Sequence, residues 1–443
     1  MQYYSLAKQS PQVDFKTAAI TGQAPDKGLY FPTQIPVFTA QQIERFKTLD
    51  KASLAFEVMK PYVGGCIDDA SLQQICAETI HFDFPLVPIT DTILSLELFH
   101  GPTLAFKDVG ARFMSRCLGY FSKQARAEKP STVLVATSGD TGGAVANGFL
   151  GVQGVDVIIL YPKGKVSPIQ ELQLTTCGQN ITALEVEGSF DDCQAMVKDA
   201  FMDADLNASY NLTSANSINV ARWLPQQLYY FFAWQQWIKL YGDTTPMHIV
   251  VPSGNFGNIC AGMMAKASGL PLGHFVAACN ANDVVTRYLA SEKYEVRKAV
   301  ATVSNAMDVG NPSNFVRILE IMQNNFASLT KVLSSYSFDD AHTASTIHSV
   351  YKTHNYILDP HGAVAFLAAE KYLAENSNST GNIARAIILE TAHPVKFPEV
   401  VEQSIEQKIE IPASVAFLLD KQKVSIPMQP SFDAFKSWML GKA

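Results

Sequence analysis

A few short stretches of the sequence put chemically capable residues at points where an α/β protein would use them. The first, Glu97–Met114 (ELFHGPTLAFKDVGARFM), sets Lys107 between Phe106 and Asp108 in an apolar run that turns helical. Desolvation disfavours an ammonium, so such a lysine is a candidate for a depressed pKa, and a neutral amine forms Schiff bases and shuttles protons. A lysine whose stem simply covers apolar surface at a helix start reads the same way. The second stretch, His248–Asn258 (HIVVPSGNFGN), is a strand, then Gly254 and Gly257 among Ser253, Asn255, Phe256 and Asn258, then the helical pattern Ile259–Ala267. Glycines let the backbone approach a ligand and free N–H groups at a helix start attract anions, so this is a phosphate cradle or a plain tight turn. It contains neither G-x-G-x-x-G nor G-x-x-x-x-G-K-[ST], which favours a phosphate monoester over a dinucleotide or a nucleoside triphosphate.

Val135–Gly143 (VATSGDTGG) repeats the strand, glycine turn and helix plan. Ser138, Gly139, Asp140 and Thr141 there suit a carboxylate or a second phosphate, or else an ordinary N-cap made by Ser138 or Asp140. Ala384–Pro398 (ARAIILETAHPVKFP) is an apolar strand ending in Glu390, Thr391 and His393, where a ligand's far edge would be met; His393 itself reads as a structural histidine. Two weaker stretches, Asn216–Arg222 (NSINVAR) and Met307–Arg317 (MDVGNPSNFVR), offer Asn and Arg donors to an anionic substrate.

These stretches need a frame, and its period is visible. From Thr132 onward, β-branched runs alternate with helix-like segments: Thr132–Thr137, Val155–Tyr161, Ile181–Val186, His248–Pro252, Phe275–Cys279 and Ala384–Glu390. Unbroken apolar strands separated by helices predict parallel sheets covered on both faces, whose ligands lie beyond the carboxyl ends of the strands. Asn219–Tyr241 reads as one long buried helix carrying Trp223, Trp234 and Trp237, core rather than cofactor box. Residues 1–90 differ in texture, with helix-like runs at Ala40–Leu49 and Leu72–Thr79 and joints at Pro32, Pro36, Pro61, Pro85 and Pro88. They read as an N-terminal domain packed on the α/β body. Asn376–Gly381 (NSNSTG) reads as a short flexible loop.

Composition narrows the function classes. Across 443 residues, 34 Lys+Arg against 41 Asp+Glu give a net charge of −7, with 17% charged and 47% hydrophobic residues. That excludes a disordered chain and argues against nucleic acid or an anionic membrane as partner, since both need clustered positive charge. Seven scattered cysteines without a CxxC pair fit free thiols rather than a disulfide framework or a zinc site, and no metal is expected. No apolar run reaches the ~18 residues that a membrane span needs, and the N-terminus lacks a secretion signal, so a cytoplasmic protein is expected. The oligomeric state is not readable.

Lysine in F-K-D, the S-G-D-T-G turn, the G-N-F-G-N loop and the strand ending E-T-A-H-P together resemble the threonine synthases. So do Gly28–Pro32 (GLYFP), Asp308–Phe315 (DVGNPSNF) and Asp359–Val364 (DPHGAV), so the resemblance spans nearly the whole chain and is with the bacterial and fungal branch. It implies a fold type II pyridoxal phosphate enzyme of class α/β, with two open parallel-sheet domains and an additional N-terminal domain. The expected division is residues 1–90, a large domain of 91–115 with 225–443, and a smaller one of 116–224. The resemblance implies that Lys107 carries pyridoxal 5'-phosphate through its amine, that Gly254, Asn255, Phe256, Gly257 and Asn258 hold the cofactor phosphate, and that Thr391 meets the pyridine nitrogen. It implies conversion of O-phospho-L-homoserine and water to L-threonine and phosphate, by γ-elimination and β-addition of water; the alternative within the fold is a lyase giving 2-oxobutyrate, ammonia and phosphate. Substrate carboxylate is expected at Ser138, Gly139, Asp140 and Thr141, and substrate phosphate among Asn216, Arg222, Asn314 and Arg112.

Overall fold

A computed structural model describes residues 1–125, 129–242, 244–376 and 384–442, so most of the Asn376–Gly381 loop lies outside the described residues. The N-terminal part is a three-stranded antiparallel sheet of β1 (Gln2–Ser5), β2 (Val13–Asp14) and β3 (Tyr30–Pro32), in the order β2-β1-β3, with four helices. Each of these helices is started by an acceptor side chain: Asp14, Thr39, Asp50 and Asp68 take the N–H of Thr17, Gln42, Ser53 and Ser71.

β4 (Leu86–Pro88) and β5 (Ile93–Glu97) lead into the large sheet, and β6 (Ser131–Ala136), β7 (Val155–Pro162), β8 (Ile181–Val186) and β9 (Asn211–Ser214) form most of the small one. β10 (His248–Pro252), β11 (Phe275–Cys279), β12 (Leu333–Ser337) and β13 (Ala386–Glu390) return to the large sheet, whose order is β12-β11-β10-β13-β5-β4. All its pairings are parallel except β4 with β5. The small sheet, β14-β8-β7-β6-β9, is parallel throughout.

Its edge strand β14 (Ile426–Met428) comes from the C-terminus, whereas the sequence reading carried the large domain through to residue 443. The physical reason is apolar: Met428, Phe435 and Met439 are buried with Leu184, Val186 and Met196 of the small domain. Among the predicted strands, Ile181–Val186, His248–Pro252 and Phe275–Cys279 have the expected bounds. The expected helix Asn219–Tyr241 is interrupted: Val220–Trp223 is helical, Leu224–Gln226 is a tight 3-10 turn, and a second helix runs Gln227–Tyr241. Pro225 has no N–H to continue the ladder. Trp223, Trp234 and Trp237 are all buried, as the core reading required.

Candidate active site

Lys107 opens the long helix Lys107–Ala125 and is aimed by the turn before it. That turn is tied to the end of β13: Phe106 N–H donates to the Thr391 carbonyl at 2.9 Å, and His393 N–H donates to the Leu104 carbonyl at 3.0 Å. Leu104 is held left-handed at φ 57°, a conformation a branched side chain adopts only where the surroundings impose it. Asp108, buried, accepts from the Thr103 N–H and hydroxyl and locks the turn from the other side. Lys107 is deeply surrounded yet keeps some accessible surface. Its amine makes no hydrogen bond or ion pair among the described residues. Burial pushes its pKa below the usual lysine value; Asp140 opposes the shift, and Lys396 and Arg222 add to it.

The loop after β10 is shaped by Phe256, left-handed at φ 59° and buried against Phe315 at 5.7 Å, just before the helix Gly257–Ala267. The N–H groups from Gly254 to Asn258 are not taken by any group among the described residues, and the Asn258 side-chain amide is buried without a partner. The other side chains are occupied in bracing. Asn255 donates to Ser217 at 2.9 Å and accepts from the Ser313 N–H at 2.6 Å, while the Asn258 carbonyl oxygen accepts from Tyr230 at 2.7 Å. Gly254 is a true close approach, since a Cβ there would lie 2.5 Å from Met307 Cα. Preformed, uncommitted donors at a helix start are what a phosphate requires.

The turn after β6 is built otherwise. The Thr137 hydroxyl accepts from the N–H groups of Gly139 and Gly142, leaving those of Ser138, Asp140 and Thr141 and the Ser138 hydroxyl without partners among the described residues. Asp140, only 5% exposed, turns inward to Lys396 Nζ at 2.7 Å and Gln170 Nε2 at 2.9 Å. Burial alone would raise its pKa, but the two cations, Lys396 first and then Lys107, hold its carboxyl well below the usual range. Lys396 was missed in the sequence; it sits in a 3-10 turn, Pro394–Lys396, with nothing in its spacing to separate it from a surface lysine.

Of the residues expected at a substrate phosphate, the structure brings some in and turns others away. Arg222 is buried beside Lys107, its Nη1 3.5 Å from the Lys107 carbonyl and its Nε unpartnered, with burial lowering its pKa to about 10, so it remains a cation. The Asn216 side-chain carbonyl is also unpartnered. Asn314 is fully engaged, donating to Ser217 at 2.9 Å and the Asn255 carbonyl at 3.1 Å and accepting from Arg317 at 2.7 Å, so it braces the loop and has nothing left for a ligand. Arg112 points to the N-terminal domain, where it donates to the Glu78 carbonyl at 2.8 Å. Ser217, read only as part of a weak stretch, is the acceptor joining Asn255 and Asn314.

Thr391 follows β13, buried, its hydroxyl uncommitted among the described residues. Glu390 below it is fully buried and packs so tightly on Gly362 that a Cβ there would lie 2.1 Å from its Oε1. Burial, and Asp359 beside it, raise the Glu390 pKa well above the usual carboxylate range. Asp359 caps the helix Pro360–Glu375 through the Gly362 N–H at 2.6 Å and accepts from His361 at 3.1 Å. The DPHGAV stretch is thus a floor under the site.

Comparison with known proteins bears on the whole chain. A family described as "Pyridoxal-phosphate dependent enzyme" matches residues 89–387, "Threonine synthase N terminus" matches 2–80, and "Threonine synthase, C-terminal" matches 362–439. Threonine synthase of Escherichia coli (strain K12) is 39% identical over 441 residues, covering 99% of each chain; that of Saccharomyces cerevisiae is 37% identical, covering 91% of this chain and 89% of that one. Among solved structures, threonine synthase from Escherichia coli superposes with a TM-score of 0.91 at 38% identity over 100% of both chains. The pyridoxal phosphate-bound threonine synthase from Brucella melitensis superposes at 0.90 with 34% identity, over 99% of this chain and 98% of that one. With relatives of this identity matched over nearly their whole length, the chain belongs to the threonine synthase family of pyridoxal phosphate-dependent enzymes.

Proposed function

We propose that the protein converts O-phospho-L-homoserine and water to L-threonine and phosphate, with Lys107 as its catalytic amine. The observation that carries this reading is an uncommitted, partly desolvated amine, Lys107, beside Arg222 and Asp140, in a chain that also holds sets of free N–H donors at Ser138–Thr141 and Gly254–Asn258. The residues fit pyridoxal phosphate: unpaired N–H groups from Gly254 to Asn258 and the unpartnered Asn258 amide suit its phosphate, and the uncommitted Thr391 hydroxyl suits its ring nitrogen. When bound, the cofactor supplies the electron sink that makes protons next to the substrate's amino carbon acidic.

The chain's own contributions follow from placement. The depressed pKa leaves a larger fraction of Lys107 as free amine at neutral pH, able to attack a carbonyl and then to move protons. Thr391 is a neutral hydroxyl rather than a carboxylate, which leaves a ring nitrogen largely unprotonated and moderates the sink. The reaction needs protons taken or delivered at Cα, Cβ and Cγ, and a lysine on a flexible stem reaches neighbouring carbons that a short, fixed base does not. Arg222 receives the substrate phosphate, its fork suiting the phosphate oxygens, with the side-chain NH2 of Asn216 as a second donor, and the free N–H groups of the Ser138–Thr141 turn receive the carboxylate. Holding both ends orients the chain of carbons across Lys107.

The test is incubation of the protein and pyridoxal phosphate with O-phospho-L-homoserine, followed by product identification. Equal amounts of threonine and phosphate are expected; 2-oxobutyrate and ammonia without threonine would overturn the reading in favour of the lyase.

A further inference from the structure

The Ser138–Thr141 turn poses an electrostatic problem. A substrate carboxylate directed to its free N–H groups would meet a second carboxylate, Asp140, at the first position of the same helix, and like charges a few ångström apart in a partly desolvated site repel strongly. The structure contains the answer to that repulsion. Asp140 is bonded at 2.7 Å to Lys396 Nζ, and Lys396 is completely buried, with a further bond of 2.8 Å to the Thr103 carbonyl. The two charges come from different sheets: Asp140 follows β6 of the small sheet, and Lys396 lies beyond β13 of the large one. Gln170, from the helix Pro168–Thr175, holds the same carboxylate oxygen and fixes its direction, and a Cβ on Gly139 would lie 2.5 Å from the Gln170 side chain.

We propose that Lys396 is a positioning residue for the substrate carboxylate: by cancelling the charge of Asp140 from across the two sheets, it makes the Ser138–Thr141 turn a net acceptor of an anion. The proposal rests on the reading above that this turn receives the carboxylate. The charged groups facing Asp140 are Lys396 and Lys107, and the remaining donor on it, Gln170, is neutral. Removing the Lys396 amine strands Asp140 in particular, because the Thr103 carbonyl keeps a second bond from Gln173 at 3.1 Å.

Three holoenzymes, Lys396→Met, Asp140→Asn and the double variant, separate this role from a merely structural one. In Lys396→Met, KM for O-phospho-L-homoserine is expected to rise roughly 30-fold or more, the size set by a like charge nearby, with a smaller change in kcat. The defect carries a pH signature. With Lys396 gone, Lys107 and Gln170 alone oppose the burial of Asp140, so its pKa rises from the wild-type value; below that raised pKa Asp140 is neutral and KM approaches wild type, and above it the charge appears and KM climbs. Wild type keeps its pair and shows no such climb. The double variant, neutral at both positions, is expected to recover most of the lost KM. Calorimetric titration of the same proteins without cofactor, using O-phospho-L-homoserine, follows the same order of affinities and does not depend on turnover. Thermal melts of all three check folding.

An active wild type alongside a folded Lys396→Met with unchanged KM overturns the proposal alone, as does a KM defect that Asp140→Asn fails to relieve. A wild type that forms no threonine overturns the functional reading beneath it and the proposal with it.

Discussion

The loop Gly254–Asn258 and the turn Ser138–Thr141 share one plan, a parallel strand running through glycine into a helix start, yet they are stabilised in opposite ways. The first is braced by uncharged groups, Ser217, Ser313, Asn314 and Tyr230, with no ionisable carboxylate in its bonds. The second is held by a buried ion pair reaching between the two sheets. A buried pair is a poor source of stability, because desolvation offsets much of its attraction, but it responds sharply to loss of either partner. The lesson is one of division of labour. On the proposed reading, the uncharged loop is fit to hold one phosphate permanently, while the charged turn would have its affinity for an anion set by a residue of the opposite domain.

The largest effect sharpens that division. Lys107→Ala is expected to lower threonine formation by roughly 10⁴-fold or more, since it removes the nucleophile and the proton carrier together. The Gly254–Asn258 donors are untouched, so equilibrium dialysis should still find pyridoxal phosphate bound, more weakly. Retained turnover would break the assignment of Lys107.

Next come paired glycine substitutions. Gly254→Ala drives a Cβ to within 2.5 Å of Met307 Cα, backbone against backbone, so the loop must move. Losing one charge-assisted bond to phosphate costs about 1.5–3 kcal/mol, so cofactor Kd is expected to rise roughly 10- to 100-fold. Gly139→Ala meets the Gln170 side chain at 2.5 Å and strains a backbone at φ 140°. It is expected to raise substrate KM by about tenfold while cofactor Kd changes little. Fluorescence titration for the cofactor and initial rates for the substrate measure the two. If both variants weaken both ligands alike, the two loops are not independent and the comparison fails.

How far the sequence foretold this depends on how local each signal is. Parallel strands such as Ile181–Val186 and Phe275–Cys279 were legible because burial on both faces demands an unbroken apolar run. β12 (LSSYS) was not, because an edge strand with half-exposed hydroxyls has no such demand, and neither was β14, whose place depends on Phe435 and Met439 finding a distant core. In the site, the glycine turns and Lys107 announced themselves by spacing. Lys396, Ser217 and the bracing role of Asn314 did not, since each acts through a partner far along the chain: 256 positions separate Lys396 from Asp140 (396 less 140). Arg112 and Arg222 looked alike as sequence; only packing sends one to the Glu78 carbonyl and the other to Lys107.

A smaller effect tests the uncharged braces. Ser217→Ala removes the acceptor shared by the Asn255 and Asn314 amides, each at 2.9 Å, and leaves the donor of buried Asn314 and that of half-buried Asn255 each short of a bond. At ~1–3 kcal/mol for an orphaned donor, a loss of about 2–3 kcal/mol is expected in denaturant unfolding. Because Asn255 and Asn314 shape the loop, saturating cofactor should recover part of it by mass action. No such recovery would show that Ser217 supports the core and not the phosphate loop.

The smallest effect concerns the charged side and its acid limit. The 3-10 turn that presents Lys396 is capped by His393, whose Nδ1 accepts from the Val395 N–H at 3.1 Å, so the ring must be neutral to do this. Burial, followed by His100, lowers its pKa to about 4, while Glu97 and Asp359 pull the other way and Lys396 adds to the lowering. The sign follows: the unfolded chain, with histidine near 6.5, takes up a proton that the folded chain refuses. Stability from this group is therefore complete above about pH 6.5, falls as the pH drops toward 4, and levels off below. At pH 5 the loss relative to pH 7 is on the order of 1–2 kcal/mol, and urea unfolding across that range measures it. His393→Asn keeps an acceptor for the Val395 N–H but cannot titrate, so its stability curve should be flatter over this window by that amount. An unchanged slope would mean that the Lys396 turn is not the acid-sensitive part, and would shift attention to the other histidines that burial lowers, His274, brought to about 4, with His248 and His81.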